Sequence, residues 1–152
     1  MIWREASRED VPAVVALLRD DMLGATREGE EIAPYLAAFD RMAAEGANRL
    51  IVAEESDGNG GGRIVATYQI TFISGLSLRA TRRAQVESIR VATDRRGSGL
   101  GAALMADAEA RARAAGCRLM QLTTNRARPR AHAFYERLGF TASHIGYKRE
   151  LD

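Results

Sequence analysis

The feature that most constrains the fold is a glycine-rich turn between an apolar strand and a helix. It reads Val91-Ala-Thr-Asp-Arg-Arg-Gly-Ser-Gly-Leu-Gly-Ala-Ala-Leu104, with the strand at residues 86–91. The first N–H groups of a helix have no intrahelical partner and carry a partial positive charge. Glycine has no Cβ, so an anion can approach the backbone closely. The pattern therefore predicts a phosphate or pyrophosphate site at this turn.

Spacing excludes two other phosphate-binding loops. The P-loop requires Gly-x-x-x-x-Gly-Lys-Ser/Thr, and the single lysine of this chain, Lys148, lies far from the turn. The dinucleotide fingerprint requires Gly-x-Gly-x-x-Gly early in a βαβ unit. Here Gly97, Gly99 and Gly101 are spaced Gly-x-Gly-x-Gly. The turn must therefore belong to a different class of phosphate-binding loop.

Two motifs carry a resemblance to a known family. The turn resembles the acyl-CoA-binding motif of the GNAT N-acyltransferase superfamily, Arg/Gln-x-x-Gly-x-Gly/Ala, and reads Arg96-Gly-Ser-Gly99-Leu-Gly101. The segment Tyr135-Glu-Arg-Leu-Gly139-Phe140 resembles the next motif of that family and stands in the right order. The resemblance implies an α/β (α+β) fold, in which four helices flank a mixed, mostly antiparallel sheet of about six or seven strands. It also implies acetyl-CoA as the cosubstrate, without a metal.

Apolar periodicity and turn residues place the elements along the chain. Strands are predicted at residues 2–6, 49–55, 64–73, 85–91, 118–123 and 141–151, with a turn at residues 57–62. Helices are predicted after Ser7, between Pro34 and Gly46, after the glycine-rich turn, and from Pro129 to Gly139. Residues 24–31 and 74–83 are predicted loops. No linker divides the chain, so residues 1–152 are predicted to form one domain.

Composition excludes several classes of protein. A net charge of +2 is too small for a nucleic-acid-binding surface, and no apolar run approaches the roughly 18 residues of a membrane helix. The N-terminus lacks a signal-peptide pattern. Cys117 is the single cysteine and is expected to be a small buried residue. We therefore expect a cytoplasmic protein that binds neither nucleic acid nor membrane, and a homodimer is compatible with the sequence.

The resemblance also implies which residues hold acetyl-CoA. The backbone of the turn would bind the pyrophosphate, the end of the fourth strand would pair with the pantetheine amides, and residues around the last helix would make further contacts. These residues are Ile89, Arg90, Val91, Arg96, Gly97, Ser98, Gly99, Leu100, Gly101, Ala102, Asn125, Arg128 and Phe134. Many family members carry Asn at the position of Arg128; here Asn125 is a candidate contact of CoA, and Arg128 is a candidate contact of its phosphates. Arg90 faces either the acceptor pocket or the opposite side of the sheet.

The arginines around the two motifs have two interpretations. Arg95, Arg96, Arg126, Arg128 and Arg130 either attract the CoA phosphates or form a solvated face. The two histidines, His132 and His144, are not expected to be catalytic, because neither has an evident partner.

Two residues are predicted to carry the chemistry. In the resembled family the position of Tyr135 places a phenol near the thioester sulfur, where it would protonate the departing thiolate. A free tyrosine has a pKa of about 10 and a thiol about 8.5, so full transfer is uphill by roughly 2 kcal/mol. The phenol therefore either has a lowered pKa or donates a hydrogen bond to the developing charge. Glu87 is the predicted base, acting through water or after burial, or else a carboxylate that binds substrate or stabilises structure.

These assignments predict an N-acetyltransferase in which a primary amine attacks acetyl-CoA directly, in a ternary complex. Two alternatives remain: a CoA-binding sensor or structural module without turnover, and a protein N-terminal or lysine acetyltransferase. The acceptor stays open among small amines, amino-acid derivatives, aminophosphonates, antibiotics and protein N-termini. Its pocket is expected to be shaped by residues 24–31, the second helix, residues 74–83 and the terminal strands.

Overall fold

The computed structural model describes residues 1–21, 23–56, 58 and 60–151. Two turn residues of the predicted hairpin, Asp57 and Asn59, lie outside the described residues. The chain divides into two compact units, Met1–Gln121 and Leu122–Asp152, which we describe one at a time. The expectation of one domain over residues 1–152 stays a prediction.

A five-stranded sheet forms the centre of the first unit. In spatial and chain order its strands are β1 (Ile2–Glu5), β2 (Asn48–Ser56), β3 (Gly62–Ile73), β4 (Arg83–Val91) and β5 (Leu119–Leu122). The first four strands pair antiparallel. The predicted fold class is confirmed, but the predicted six or seven strands were too many. In the described part of the second unit, residues 141–151 form no strand, because they make no backbone pairing with a neighbouring strand.

Six α-helical segments and two 3-10 turns, Arg8–Asp10 and Thr93–Arg95, are found in the described residues. We number only the α-helical segments. They are α1 (Val11–Arg19), α2 (Gly24–Arg27), α3 (Ala33–Glu45), α4 (Ser77–Ala80), α5 (Leu100–Ala114) and α6 (Pro129–Arg137). The four predicted helices correspond to α1, α3, α5 and α6. The short segments α2 and α4 lie within the two predicted loops, because four residues are too few to produce a helical periodicity in the sequence.

The core of the first unit lies on β2, β3 and β4. Four consecutive residues of β3, numbers 65–68, are fully buried, so both faces of this strand are covered. The helices α1 and α5 both pack on β3 and β4. The buried face of α5 is formed by Leu100, Leu104, Met105, Ala108 and Ala112. Cys117 is buried just beyond α5, as predicted, and burial raises the pKa of its thiol.

The segment α4 is a left-handed turn. Leu78, Arg79 and Ala80 have φ angles of 53°, 58° and 57°. A left-handed conformation costs a residue with a Cβ about 1–2 kcal/mol. The hydroxyl of Thr81 donates a hydrogen bond to the Leu78 carbonyl at 2.6 Å and helps to hold the turn.

Candidate functional site

The connection from β4 to α5 is a tight turn that places glycine backbone ahead of a long helix. The N–H of Ala92 still bonds to the Val65 carbonyl at 2.8 Å, and residues 93–95 then make one 3-10 turn. Gly97 and Gly99 have φ angles of 77° and 84°, which glycine adopts without strain. The helix begins at Leu100, and its first backbone hydrogen bond runs from Ala103 N–H to the Gly99 carbonyl at 3.1 Å.

This geometry leaves a continuous row of backbone donors. Among the described residues, six consecutive backbone N–H groups donate to no acceptor: those of Gly97, Ser98, Gly99, Leu100, Gly101 and Ala102. A Cβ built on Gly97 or Gly99 would meet no atom within 4 Å, so the space in front of the turn is open. The side chain of Leu100 is buried in the core, so it does not fill this space. Six such N–H groups at the start of a 15-residue helix make a site suited to a phosphate or pyrophosphate.

The arginines next to the turn are engaged with other groups. Arg95 pairs with Glu55 at 2.7 Å, and Arg63 binds Asp94 through two hydrogen bonds of 2.7 and 2.8 Å. Hydrogen bonding to Arg63 lowers the pKa of Asp94 to about 2. Arg96 donates to the Asp20 carbonyl at 2.8 Å. Each of these guanidinium groups is thus partly committed to a protein partner, so the backbone N–H groups are the donors of the turn that have no competing acceptor among the described residues.

A β-bulge interrupts β4 just before the turn. Gln69 lies opposite Glu87 and Thr67 lies opposite Arg90, so two residues of β4 face one residue of β3. Ser88 occupies the bulge with a φ of 52°, and Glu87 beside it is exposed. The bulge changes the alternation of side chains at Ile89, Arg90 and Val91, which are half-buried. Backbone pairing of these three residues with a pantetheine chain stays a prediction.

The bulge also determines where the side chain of Arg90 goes. Its Nε lies 3.0 Å from Asp21 Oδ2, and its Nη1 donates to the Ile89 carbonyl at 2.8 Å. The two partners of the ion pair expose only 13% and 12% of their side chains. Arg90 thus faces the segment between α1 and α2. The sequence analysis did not identify Asp21. One signal was available, because acidic residues directly after a helix are unfavourable near its negative end unless a positive group pairs with them.

In the second unit, the end of α6 explains the spacing of the second motif. Gly139 has a φ of 87°, its N–H bonds to the Glu136 carbonyl at 3.0 Å, and Phe140 N–H bonds to the Tyr135 carbonyl at 3.1 Å. This pair of hydrogen bonds is the Schellman motif, which ends a helix with a left-handed glycine. The rings of Tyr135 and Phe140 lie 6.0 Å apart, the apolar contact that accompanies such a cap.

The Tyr135 ring is held on a second side by its neighbour in the helix. Phe134 packs edge-to-face on it, with ring centroids 5.3 Å apart. The phenol ring therefore has a defined orientation within this unit, although its predicted role as an acid remains untested. A second tyrosine, Tyr68, is structural: it is fully buried, and its hydroxyl donates to Asp107 at 2.5 Å, so desolvation raises its pKa.

The start of α6 is organised by Asn125. Its side-chain oxygen accepts the Ala127 N–H at 2.9 Å, and its carbonyl accepts the Arg128 N–H at 3.1 Å. A ring nitrogen of His132 lies 2.9 Å from the same carbonyl. Asn125 therefore shapes the turn that leads into α6. Whether Asn125 or Arg128 contacts a cofactor stays a prediction.

Comparison with protein families matches residues 12–140 to the acetyltransferase (GNAT) family. This range covers well over half of the chain. The chain belongs to the GNAT acetyltransferase family. The resemblance read from the two motifs is confirmed, and the fold described above is that of this family of acetyltransferases.

Three proteins illustrate how similar this chain is to known relatives. A transcriptional regulator from Bacillus halodurans C-125 is 39% identical and has a TM-score of 0.91, with 99% of each chain covered. A candidate acetyltransferase from Agrobacterium tumefaciens str. C58 is 28% identical with a TM-score of 0.85, over 99% of this chain and all of that one. An aminoalkylphosphonate N-acetyltransferase from Salmonella typhimurium is 39% identical over 67 residues, which are 44% of each protein. The matched part thus spans less than half the length of that last relative.

No helix in the described part of the chain is both long enough and apolar enough to cross a membrane.

Proposed function

We propose that this GNAT protein is an N-acetyltransferase that transfers an acetyl group from acetyl-CoA to a primary amine by direct attack. The observation that carries the proposal is the row of backbone N–H groups of residues 97–102 at the start of α5, which have no acceptor within the described part of the chain. A pyrophosphate is negatively charged and has several acceptor oxygens, which suits such a row of donors. Open space in front of Gly97 and Gly99 allows the close approach that such binding needs.

The proposed roles of the residues follow from their chemistry. Acetyl-CoA supplies an acyl group activated as a thioester. Backbone N–H groups of residues 89–91 would stabilise the oxyanion that forms when the amine attacks. Glu87, which is exposed beside the bulge, would take the amine proton through water. Tyr135 would donate its proton, or a hydrogen bond, to the departing thiolate.

The Salmonella relative suggests which acceptors to test first. Its name specifies an aminoalkylphosphonate, a small primary amine that carries a phosphonate. We propose small amines, with 2-aminoethylphosphonate among the first, as acceptors of this chain. Release of CoA thiol in the presence of each amine measures turnover directly.

A second candidate function is a CoA-binding regulator without turnover. The observation that favours it is the Bacillus halodurans relative, which is described as a transcriptional regulator and matches nearly the whole chain. Binding of acetyl-CoA without thiol release across a broad amine screen would support this candidate. Thiol release that depends on an amine would exclude it.

The cofactor site itself is tested by calorimetric titration with acetyl-CoA. In Gly99→Ala, the added Cβ occupies the open space before the turn and obstructs the pyrophosphate, so affinity should fall about tenfold or more through lost charge-assisted hydrogen bonds. The matched control is Gly116→Ala. Gly116 has a φ of 77° and the same open surroundings, so it carries the same backbone penalty away from the turn. Equal affinity in both variants would contradict the placement of the pyrophosphate.

A further inference from the structure

Three consecutive residues at the end of α1 join separate parts of the first unit. The helix ends at Arg19, and Asp20 and Asp21 follow it directly. Carboxylates are unfavourable at the negative end of a helix. Their contacts with other segments must therefore stabilise them there.

Asp20 is bound to the glycine-rich turn between β4 and α5, residues 93–99, which we call the cofactor turn. Its Oδ2 accepts a hydrogen bond from the Thr93 hydroxyl at 2.6 Å, and its carbonyl accepts one from Arg96 Nη2 at 2.8 Å. Arg96 also donates from Nε to the Val91 carbonyl at 3.3 Å. The end of α1 is thus hydrogen-bonded to Thr93 and Arg96, which lie immediately before the backbone N–H groups of residues 97–102.

Asp21 connects β4 to the start of α2. One carboxylate oxygen, Oδ2, lies 3.0 Å from Arg90 Nε. The other oxygen, Oδ1, accepts the N–H of Leu23 at 2.7 Å and of Gly24 at 3.3 Å. Both side chains of the ion pair are nearly nine-tenths buried, so water screens their attraction little.

The segment that follows contacts α1 at two points. A Cβ on Gly24 would lie 1.8 Å from the Leu18 carbonyl oxygen, so α2 starts directly against the last turn of α1. Arg19 donates to the Gly29 carbonyl, which fixes the far end of the segment. Residues 24–31 are therefore anchored at Gly24 by Asp21 and at Gly29 by Arg19. Asp21 also pairs with Arg90 of β4, and its neighbour Asp20 binds Thr93 and Arg96.

We propose that Asp21 and Arg90 are positioning residues that couple the cofactor turn to residues 24–31, so that cofactor bound at the turn orders this segment. The inference rests on the proposed function, in which residues 24–31 shape the acceptor pocket. Cofactor binding that makes the turn rigid lowers the entropy cost of ordering whatever is bonded to it. Because coupling is reciprocal, an acceptor held by residues 24–31 would also strengthen cofactor binding.

The experiment is hydrogen–deuterium exchange of the whole chain, with CoA alone as the probe. In the wild type, CoA should slow exchange in residues 97–102 and also, by about fivefold or more, in residues 24–31. In Asp21→Asn, and in Arg90→Gln, which leaves the backbone N–H of residue 90 in place, CoA should still protect residues 97–102, but protection of residues 24–31 should be lost. The side-chain oxygen of the asparagine in Asp21→Asn can still accept the α2 N–H groups, so the start of α2 is kept. Arg90→Lys, which retains the charge, should restore part of the protection.

Controls separate positioning from simple loss of stability. Arg8→Gln removes an exposed ion pair to Asp40 and should leave CoA-dependent protection unchanged. A merely structural role would raise exchange of residues 24–31 equally with and without CoA, which would overturn the inference. Should an Asp21 or Arg90 variant fail to fold, Thr93→Val tests the parallel contact to Asp20 with an isosteric side chain.

The two proposals fail in different ways. If CoA protects residues 97–102 in every variant and residues 24–31 respond identically in all of them, the coupling is wrong and the proposed function stands. If CoA protects no segment of the wild type, the proposed function is wrong and the coupling falls with it.

Discussion

Tyr135 has two separable functions at the scale of a single residue: its ring closes the cap of α6, and its hydroxyl is the proposed proton donor. The change Tyr135→Phe removes only the hydroxyl. Ring contacts with Phe134 and Phe140 and the backbone bonds of the cap persist, so α6 should keep its cap and acetyl-CoA affinity should stay near wild type. The turnover number should fall about 100-fold or more, the usual contribution of a positioned acid.

Steady-state kinetics with a responsive amine, together with a melting curve, checks this prediction. Unchanged turnover would remove Tyr135 from the mechanism. A large drop in melting temperature would instead show that the hydroxyl has a structural partner.

Glu87 is best tested by the kinetic parameter that it affects. The change Glu87→Gln keeps the shape of the side chain and removes the charge. A base acts in the chemical step, so its loss should lower the turnover number, whereas a carboxylate that only attracts a cationic amine should raise the KM with turnover intact. The change Glu109→Gln, at an exposed position of α5, removes the same charge and controls for altered surface charge. An unaltered turnover number and KM would exclude both roles.

Residue identity allowed some of the site to be predicted and concealed the rest. Gly97 and Gly99 have left-handed backbone angles and open surroundings, which is what their sequence pattern predicts. Ser88 has a similar angle, but serine gives no such signal, so the bulge was not predictable. The pairing of Asp21 with Arg90 joins residues far apart in sequence, and no local pattern encodes it.

At the scale of elements, periodic segments were predictable and non-periodic ones were not. The strands β2 to β4 and the helices α3 and α5 follow apolar patterns bounded by glycine and proline, and they form close to the predicted limits. The segments α2 and α4 have four residues each and leave no period to detect. Residues 141–151 alternate like a strand, but a strand also requires a partner, which alternation does not specify.

The left-handed turn α4 predicts that a substitution by glycine raises the stability of the protein, whereas glycine in a helix usually lowers it. Ala80 has a φ of 57° and is exposed, so Ala80→Gly removes the steric cost of that angle. After the greater entropy of glycine in the unfolded chain is subtracted, the variant should gain about 0.5–1 kcal/mol in free energy of unfolding. The same substitution at Ala106, exposed within α5, should instead cost about 1 kcal/mol. Urea denaturation measures both variants, and two losses of equal size would contradict the left-handed assignment.

At the scale of the whole molecule, ion pairs make stability depend on acid pH. Hydrogen bonds from Arg63 and Arg4 lower the pKa of Asp94 and Asp10 respectively, with Asp94 at about 2 compared with 3.8 without its surroundings. The unfolded chain therefore binds protons that the folded chain does not. The stabilisation is complete above about pH 4 and is lost as pH falls through about 2.

Urea midpoints at pH 5 and at pH 2.5 test this dependence. Arg63→Gln abolishes the ion pair with Asp94, so the variant should lose less stability between the two pH values than the wild type. Arg41→Gln is the matched control, because Arg41 forms no ion pair with the described residues. The same loss in all three proteins would show that other groups govern the acid transition.

The cap at the end of α6 has a consequence for how this family can diverge. A tyrosine codon becomes a phenylalanine codon by one base change. The backbone bonds of Gly139 and Phe140 and the ring contact at residue 135 do not need the hydroxyl. If that hydroxyl donates the proton, a single point mutation would lower turnover sharply and leave a folded protein that still binds its cofactor. A catalyst and a non-catalytic regulator with this sequence would then differ by one base change. Evolution from one to the other would not require an unfolded intermediate.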